Sequence, residues 1–148
     1  MKHLLIILSL LLLSFTIISC GIDDGSKSTD NTLYVSVGVS GTILTSSDGT
    51  SWDNRTSGTT NHLYGVTYGN GTFMIVGDSG TILTSSDGTT WTSRTSGTTI
   101  HLQGVTYGNG TFVTVGLTGT ILTSSDGTTW TSRTSGTSED FNGVIYSQ

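Results

Sequence analysis

The chain has 148 residues, about the length of one domain, with 21 glycines, no proline, one cysteine and a formal net charge of −5. Glutamate occurs once while threonine and serine are abundant, so long amphipathic helices are not expected beyond the N-terminus. The acidic balance leaves no basic patch for a nucleic acid, and a single cysteine excludes an internal disulfide and a cysteine metal site. The composition predicts an all-β, turn-rich protein.

Residues 1–19 are predicted to be an export signal. Lys2 provides a basic start, and an apolar run over residues 4–18 ends at the small residue Ser19. A membrane-spanning helix needs about 20 apolar residues, and this run is shorter and is followed by acidic residues.

The segment Ile17-Ile18-Ser19-Cys20 resembles the lipobox of bacterial lipoproteins. The resemblance implies that Cys20 is lipidated and becomes the first residue of a mature protein held at the bacterial cell envelope. Because Gly21 and not Asp follows the cysteine, it also favours the outer membrane in a cell with two membranes. A plain secretory signal with an incidental cysteine is the alternative.

Residues 20–31 are predicted to be the lipidated cysteine and a flexible tether, because they are polar and have too little apolar content to fold. A flexible chain of this length has an end-to-end distance of about 18 Å. The tether therefore holds the folded domain, residues 32–148, close to the lipid surface.

An internal repeat is the main feature of residues 32–148. Trp52, Trp91 and Trp130 follow one another at intervals of 39 residues, and residues 80–98 recur unchanged at 119–137. Each copy must therefore adopt nearly the same local structure.

Each repeat predicts four short strands, which in the second copy cover residues 63–68, 72–76, 81–85 and 90–95. Asn-Gly and Asp-Gly pairs separate β-branched and aromatic runs, as in tight β-hairpins. Four antiparallel strands in about 40 residues are typical of a β-propeller blade. A parallel β-solenoid is the alternative fold.

The repeats do not begin where a blade begins. Residues 32–38 align with 71–77, so the chain enters at the second strand of a blade, and residues 141–148 align with 102–109, a lone first strand. Residues 32–148 number 117, which is three times 39. We expect strand exchange between the termini, in which the C-terminal strand completes the N-terminal blade to give three full blades.

Three blades are too few to close a ring, since propellers typically have four to eight. Two chains would supply six blades and cover the open edges, so the sequence predicts a homodimer. A truncated fragment of a larger propeller is the alternative.

The motif Ser-Ser-Asp-Gly-Thr-Thr-Trp at residues 85–91 and 124–130, with Ser in its sixth position at 46–52, resembles the Asp-box or BNR-like repeat. Here the glycine directly follows the aspartate, as in photosystem II assembly factor-like propellers. The resemblance implies a structural carboxylate that accepts backbone N–H groups of its own hairpin and a tryptophan packed between strands. These residues are Asp48, Trp52, Asp87, Trp91, Asp126 and Trp130.

No catalytic residue, cofactor or metal site is expected. Asp-boxes also occur in sialidases, which need a cluster of arginines, yet Arg55, Arg94 and Arg133 occupy equivalent places on outer strands. Glu139 is the sole glutamate, so the paired carboxylates of ordinary glycosidases are not evident.

A candidate binding rim is predicted where the copies differ most, in the loops between second and third strands and between blades. Its residues are His62, Tyr64, Asp78, His101, Gln103, Glu139, Asp140 and Asn142. The sequence thus favours a non-enzymatic surface lipoprotein whose propeller is a protein-binding or assembly scaffold. A glycan-binding, lectin-like module with Tyr64 as a stacking platform is the alternative.

Overall fold

The computed structural model describes residues 32–148. The predicted export signal, Cys20 and the tether lie outside these residues. Within residues 32–148, no helix is long and apolar enough to cross a membrane.

The described chain forms three antiparallel sheets in succession, which we call blades 1, 2 and 3. Each blade is a meander in which a strand pairs with the strands before and after it. Blade 1 comprises β1 (Tyr34–Val37), β2 (Ile43–Ser46) and β3 (Asp53–Arg55). Blade 2 comprises β4 (Leu63–Gly69), β5 (Thr72–Gly77), β6 (Ile82–Ser85) and β7 (Thr92–Arg94). Blade 3 comprises β8 (Leu102–Gly108), β9 (Thr111–Gly116), β10 (Ile121–Ser124) and β11 (Thr131–Arg133).

Local sequence explains the hairpins. Gly69 pairs with Thr72, so Asn70 and Gly71 alone connect β4 to β5. Their φ angles are 50° and 71°, in the left-handed region that Asn and Gly tolerate and that a two-residue hairpin requires. The predicted hairpin is therefore confirmed.

Blade 2 is buried on both faces. Met74, Ile75 and Val76 on consecutive positions of β5 are each 0% exposed, because β5 lies between two neighbouring blades. Met74 and Val76 pack in a cluster with Leu102 and Phe112 of blade 3, whereas Ile75 packs in a second cluster with residues of blade 1. The predicted propeller blades are confirmed, and the antiparallel pairing excludes a parallel solenoid.

The first strands of neighbouring blades approach each other closely. A Cβ atom on Gly65 of β4 would lie 3.2 Å from the Cα atom of Gly104 in β8, and one on Gly104 would lie 2.9 Å from Gly143 Cα. A side chain at either position would push the neighbouring backbone away. Glycine at this point of each first strand therefore lets successive blades pack.

Strand exchange within one chain is not formed in the described residues. The first sheet has three strands, and residues 141–148 belong to no sheet. They lie instead beyond blade 3, where the Phe141 N–H donates to the Gly116 carbonyl at 3.0 Å and Gly143 packs on Gly104. Because β1 contacts β4 on the opposite side of blade 2, the two ends of one chain are separated by the intervening blades.

Candidate binding rim

The rim is built from the connections between the second and third strands of each blade and from the loops between blades. The β1–β2 and β5–β6 connections are 3₁₀ turns, Val39–Gly41 and Asp78–Gly80, and their central residues Ser40 and Ser79 have positive φ angles of 54° and 53°. Each turn is contacted by the residue that precedes the first strand of the next blade, His62 in one case and His101 in the other.

One rim position in each interblade loop binds the turn of the preceding blade. His62 Nδ1 accepts from the Ser40 N–H at 2.9 Å, and Asp140 Oδ1 accepts from the Thr118 N–H at 2.8 Å. His101 Nδ1 instead lies 2.6 Å from Asp78 Oδ1. His62 and His101 therefore also connect one blade to the next, and Asp140 connects the C-terminal segment to blade 3.

Tyr64, Asp78 and His101 come together between blades 2 and 3, and His62 lies beside Tyr64 on the side of blade 1. Asp78 Oδ1 lies 2.6 Å from His101 Nδ1 and next to the Tyr64 hydroxyl, and the rings of His62 and Tyr64 meet edge to face with centroids 6.5 Å apart. Tyr64 is 43% exposed, and the side chain of His101 is 45% exposed. A carboxylate, an imidazole and a phenol thus share one accessible place on the rim.

The charge of this cluster follows from its hydrogen bonds. Burial alone would raise the pKa of the Asp78 carboxyl, but the neighbouring Tyr64 hydroxyl and His101 ring outweigh it and lower the pKa below its ordinary value. The proximity of Asp78 raises the pKa of the Tyr64 hydroxyl. At neutral pH Asp78 is therefore an anion next to a neutral phenol, an arrangement that can accept hydrogen bonds from donor groups of a ligand.

The remaining rim residues continue the same edge over blade 3. Gln103 and Asn142 occupy the positions equivalent to Tyr64, and Asn142 is exposed. Glu139 is also exposed, and its carbonyl accepts from the Gly119 N–H at 2.8 Å. The structure therefore does not gather all eight predicted residues into one site.

The turn aspartates lie on the opposite rim and are used by their own hairpins. Asp87 Oδ1 accepts from the N–H groups of Thr89 and Thr90 at 2.8 Å each and from the Ser85 hydroxyl at 2.9 Å. The Thr90 N–H is the largest of the causes that hold the pKa of this carboxyl well below its usual range. Asp48 and Asp126 repeat this arrangement, and residues 32–148 contain no cluster of three metal-ligating side chains.

The three tryptophans differ in their surroundings. Trp91 donates through Nε1 to the Gly88 carbonyl at 3.2 Å and packs against the cluster between blades 1 and 2, while Trp130 packs between blades 2 and 3. Trp52 occupies the same place on blade 1 but is 42% exposed. This difference arises because no other sheet of residues 32–148 packs on that side of blade 1.

Open polar grooves between the outer strand and the interblade loop were not anticipated from the sequence. One groove of 670 Å³ is lined by residues that include Arg94, Ser96 and Thr98, and blade 1 has an equivalent groove of 700 Å³. Arg94 Nε donates to Thr84 Oγ1 and the Ser96 hydroxyl donates to the Thr98 carbonyl, so these groups already have partners. The repeated Thr-Ser-Gly-Thr segment is the sequence signal that marks them.

Comparisons with known proteins bear on the fold. No family model matches the chain, and no curated protein matches it. A solved structure of YCF48 bound to D1 peptide is similar, with a TM-score of 0.60 and 21% identity over 70% of this chain. The matching part is 36% of that chain, so this sequence spans about a third of the neighbour's length. Together with the three antiparallel sheets, this similarity places the chain in the β-propeller class.

Proposed function

We propose that the protein is a non-enzymatic surface lipoprotein whose propeller binds another protein as a scaffold for assembly. The observation that carries the proposal is the propeller blade fold with an accessible rim cluster, Tyr64, Asp78 and His101. The similar YCF48 structure is bound to a peptide, which supports a polypeptide as the ligand class. The anionic Asp78 and exposed Tyr64 suit a peptide segment that presents N–H or cationic groups.

The lipid anchor at Cys20 completes the proposal. Each buried methylene contributes about 0.8 kcal/mol, so several acyl chains on one residue would hold the domain firmly at the membrane. Outer-membrane sorting in a two-membrane cell rests on Gly21. Labelling cells with a radioactive fatty acid tests the anchor, since Cys20→Ser should remove both the label and the protein from the membrane fraction.

A homodimer is part of the same proposal. It rests on two blade faces that no other sheet of residues 32–148 covers and on Tyr34 and Trp52, which are 50% and 42% exposed. A six-bladed ring would present two copies of the rim cluster on one face, and bivalent display strengthens binding to a partner that carries two sites.

Photo-crosslinking in intact cells tests the binding role. A photoreactive residue at Tyr64 should capture a defined protein, whereas the same residue at exposed Ser86, in the opposite-rim turn, should not. Equal capture at both positions would contradict a binding rim at Tyr64.

The lectin-like alternative has the same rim and a different ligand. Tyr64 is an exposed aromatic residue that a sugar ring could stack upon. Glycan-array binding by the full chain that is lost in Tyr64→Ala, without protein capture, would favour this second function.

A further inference from the structure

Residues 141–148 lie beyond blade 3 in the position that the first strand of a next blade would take. The Phe141 N–H donates to Gly116 as the Leu63 N–H donates to Gly38, both at 3.0 Å. Gly143 packs on Gly104 as Gly104 packs on Gly65, and the Tyr146 ring covers Gly108. The segment is therefore held in the position that β4 and β8 occupy in their blades.

The three strands of blade 1 are equivalent to the second, third and fourth strands of blades 2 and 3. Within the part of the chain that the structure describes, β1 pairs only with β2, whereas the equivalent β5 pairs with both β4 and β6, so one edge of β1 has no strand partner there. Tyr34 on β1 and Trp52 are half exposed, while Trp91 and Trp130 pack against a preceding blade. Among residues 32–148, blade 1 therefore has neither a first strand nor a blade packed before it.

We infer that residues 141–148 of one chain pair with β1 of a second copy, and that the partner's C-terminal segment pairs reciprocally. The inference rests on the proposed homodimer and specifies the contact that forms it. Within one chain this pairing is blocked by the intervening blades, so a second copy is the occupant that this sequence supplies.

The repeats define the register of this pairing. Gly65 pairs with Val76, Thr67 with Met74 and Tyr68 with Phe73 in blade 2, and blade 3 repeats the same register. Transferred to the equivalent positions of two chains, this register pairs Gly143 with the partner's Val37, Ile145 with the partner's Val35, and Tyr146 with the partner's Tyr34.

The side chains at these positions fit the pairing. The ring centroids of Tyr68 and Phe73 lie 4.5 Å apart, and those of Tyr107 and Phe112 lie 4.6 Å apart. Tyr146 against the partner's Tyr34 would make a third aromatic pair of the same kind. The pairing would also cover Ile145, which is 87% exposed.

The broad faces of the terminal blades are complementary for the same reason. Val113, Val115 and Ile121 on blade 3 occupy the places that Met74, Val76 and Ile82 occupy on blade 2. In the single chain, these residues of blade 2 pack against Leu122 and Trp130 of blade 3. The residues equivalent to Leu122 and Trp130 in a following blade are the partner's Leu44 and the partner's Trp52. An existing interface between blades is therefore repeated between chains.

Disulfide trapping of the lipidated full chain in its membrane tests the register. Chains with only Val35→Cys and chains with only Ile145→Cys are produced together, and we expect an interchain disulfide because directly opposite residues share one face. Replacing the first variant by Ser36→Cys moves the thiol to the other face and should abolish the disulfide. No disulfide with Val35→Cys, or an equal yield with Ser36→Cys, would overturn the inference.

Gly143→Val separates assembly from folding. A Cβ atom on Gly143 meets nothing within 4 Å in the single chain. In the paired state it would face the partner's Gly65, as Gly104 faces Gly143. The trapped dimer should fall by about tenfold or more while the melt stays cooperative, because the clash exists only between chains.

Ser138→Ala, at an exposed position before the pairing segment, serves as the control and should trap normally. Unchanged trapping in Gly143→Val would contradict the inference. A dimer that forms without the Val35–Ile145 disulfide would reject strand pairing and leave the proposed homodimer standing. Capture of a partner protein by a photoreactive residue at Tyr64 is measured independently of strand pairing and of dimer formation.

Discussion

The carboxylate of Asp87 is occupied by its own turn. Two N–H groups and a hydroxyl converge on Oδ1, and Ser85 Oγ in turn accepts from the Gly88 N–H at 2.8 Å. The same atoms recur around Asp48 and Asp126. A carboxylate satisfied in this way stabilises a hairpin and has little left to offer a ligand.

Replacing Asp87 with Asn should destabilise the fold. The amide keeps an oxygen acceptor but loses the charge that strengthens three hydrogen bonds. We expect a lower urea midpoint by circular dichroism. Asp53→Asn is the control, because that side chain is 77% exposed and its one hydrogen bond in the described residues is to Arg55, at 3.2 Å. Equal midpoints for the two variants would contradict the structural role.

Acid should weaken the fold through the same residues. The pKa of Asp48, Asp87 and Asp126 lies below the ordinary value of 3.8, so their contribution is present above that pH and is lost as the pH falls toward the folded value. The urea midpoint should hold above about pH 5 and decline below about pH 4. Asp87→Asn should show a shallower decline, and an unchanged slope would count against this account.

At the scale of elements, β5 depends on burial from two sides. Met74 faces blade 3 and Ile75 faces blade 1, and both are fully buried. The sequence predicted this because apolar residues fill consecutive positions of the strand, which only a sandwiched sheet can accommodate. The Asn-Gly hairpins were predictable because few residue pairs tolerate two positive φ angles.

Met74→Ala should cost about 2–5 kcal/mol of unfolding free energy, because it leaves a cavity between two blades. Met74→Leu conserves volume and should cost less than about 1.5 kcal/mol. Urea unfolding of both variants provides the measurement. A loss for Met74→Ala as small as that for Met74→Leu would mean that blades 2 and 3 do not share a tight core.

The contacts between blades on the rim could not be predicted in this way. His62, His101 and Asp140 were expected as binding residues, yet each also contacts the turn of the preceding blade. These contacts depend on where the 3₁₀ turns direct their N–H groups and on how far one blade is rotated from the next. Neither quantity is encoded in the spacing of residues along one repeat.

At the scale of the whole molecule, the repeat predicts which surfaces match but not which chain supplies them. Residues 141–148 are equivalent to a first strand, and β1 is equivalent to a second strand that lacks one. The C-terminal segment and β1 do not meet within one chain, because Gly143 lies beyond blade 3 and away from β1. Only the structure shows this.

A chain stabilised by a second copy should melt at a temperature that rises with protein concentration, since association favours the folded state by mass action. Calorimetry of the lipidated chain in detergent over a hundredfold range of concentration measures this. Gly143→Val should melt at a temperature independent of concentration. The same concentration dependence in both proteins would indicate a different interface.

The mass in solution of the processed, lipidated chain tests the central claim most directly. Light scattering in mild detergent, corrected for bound detergent, should give twice the mass of one chain, with a cooperative melt. A folded protein with the mass of one chain would contradict the six-bladed assembly.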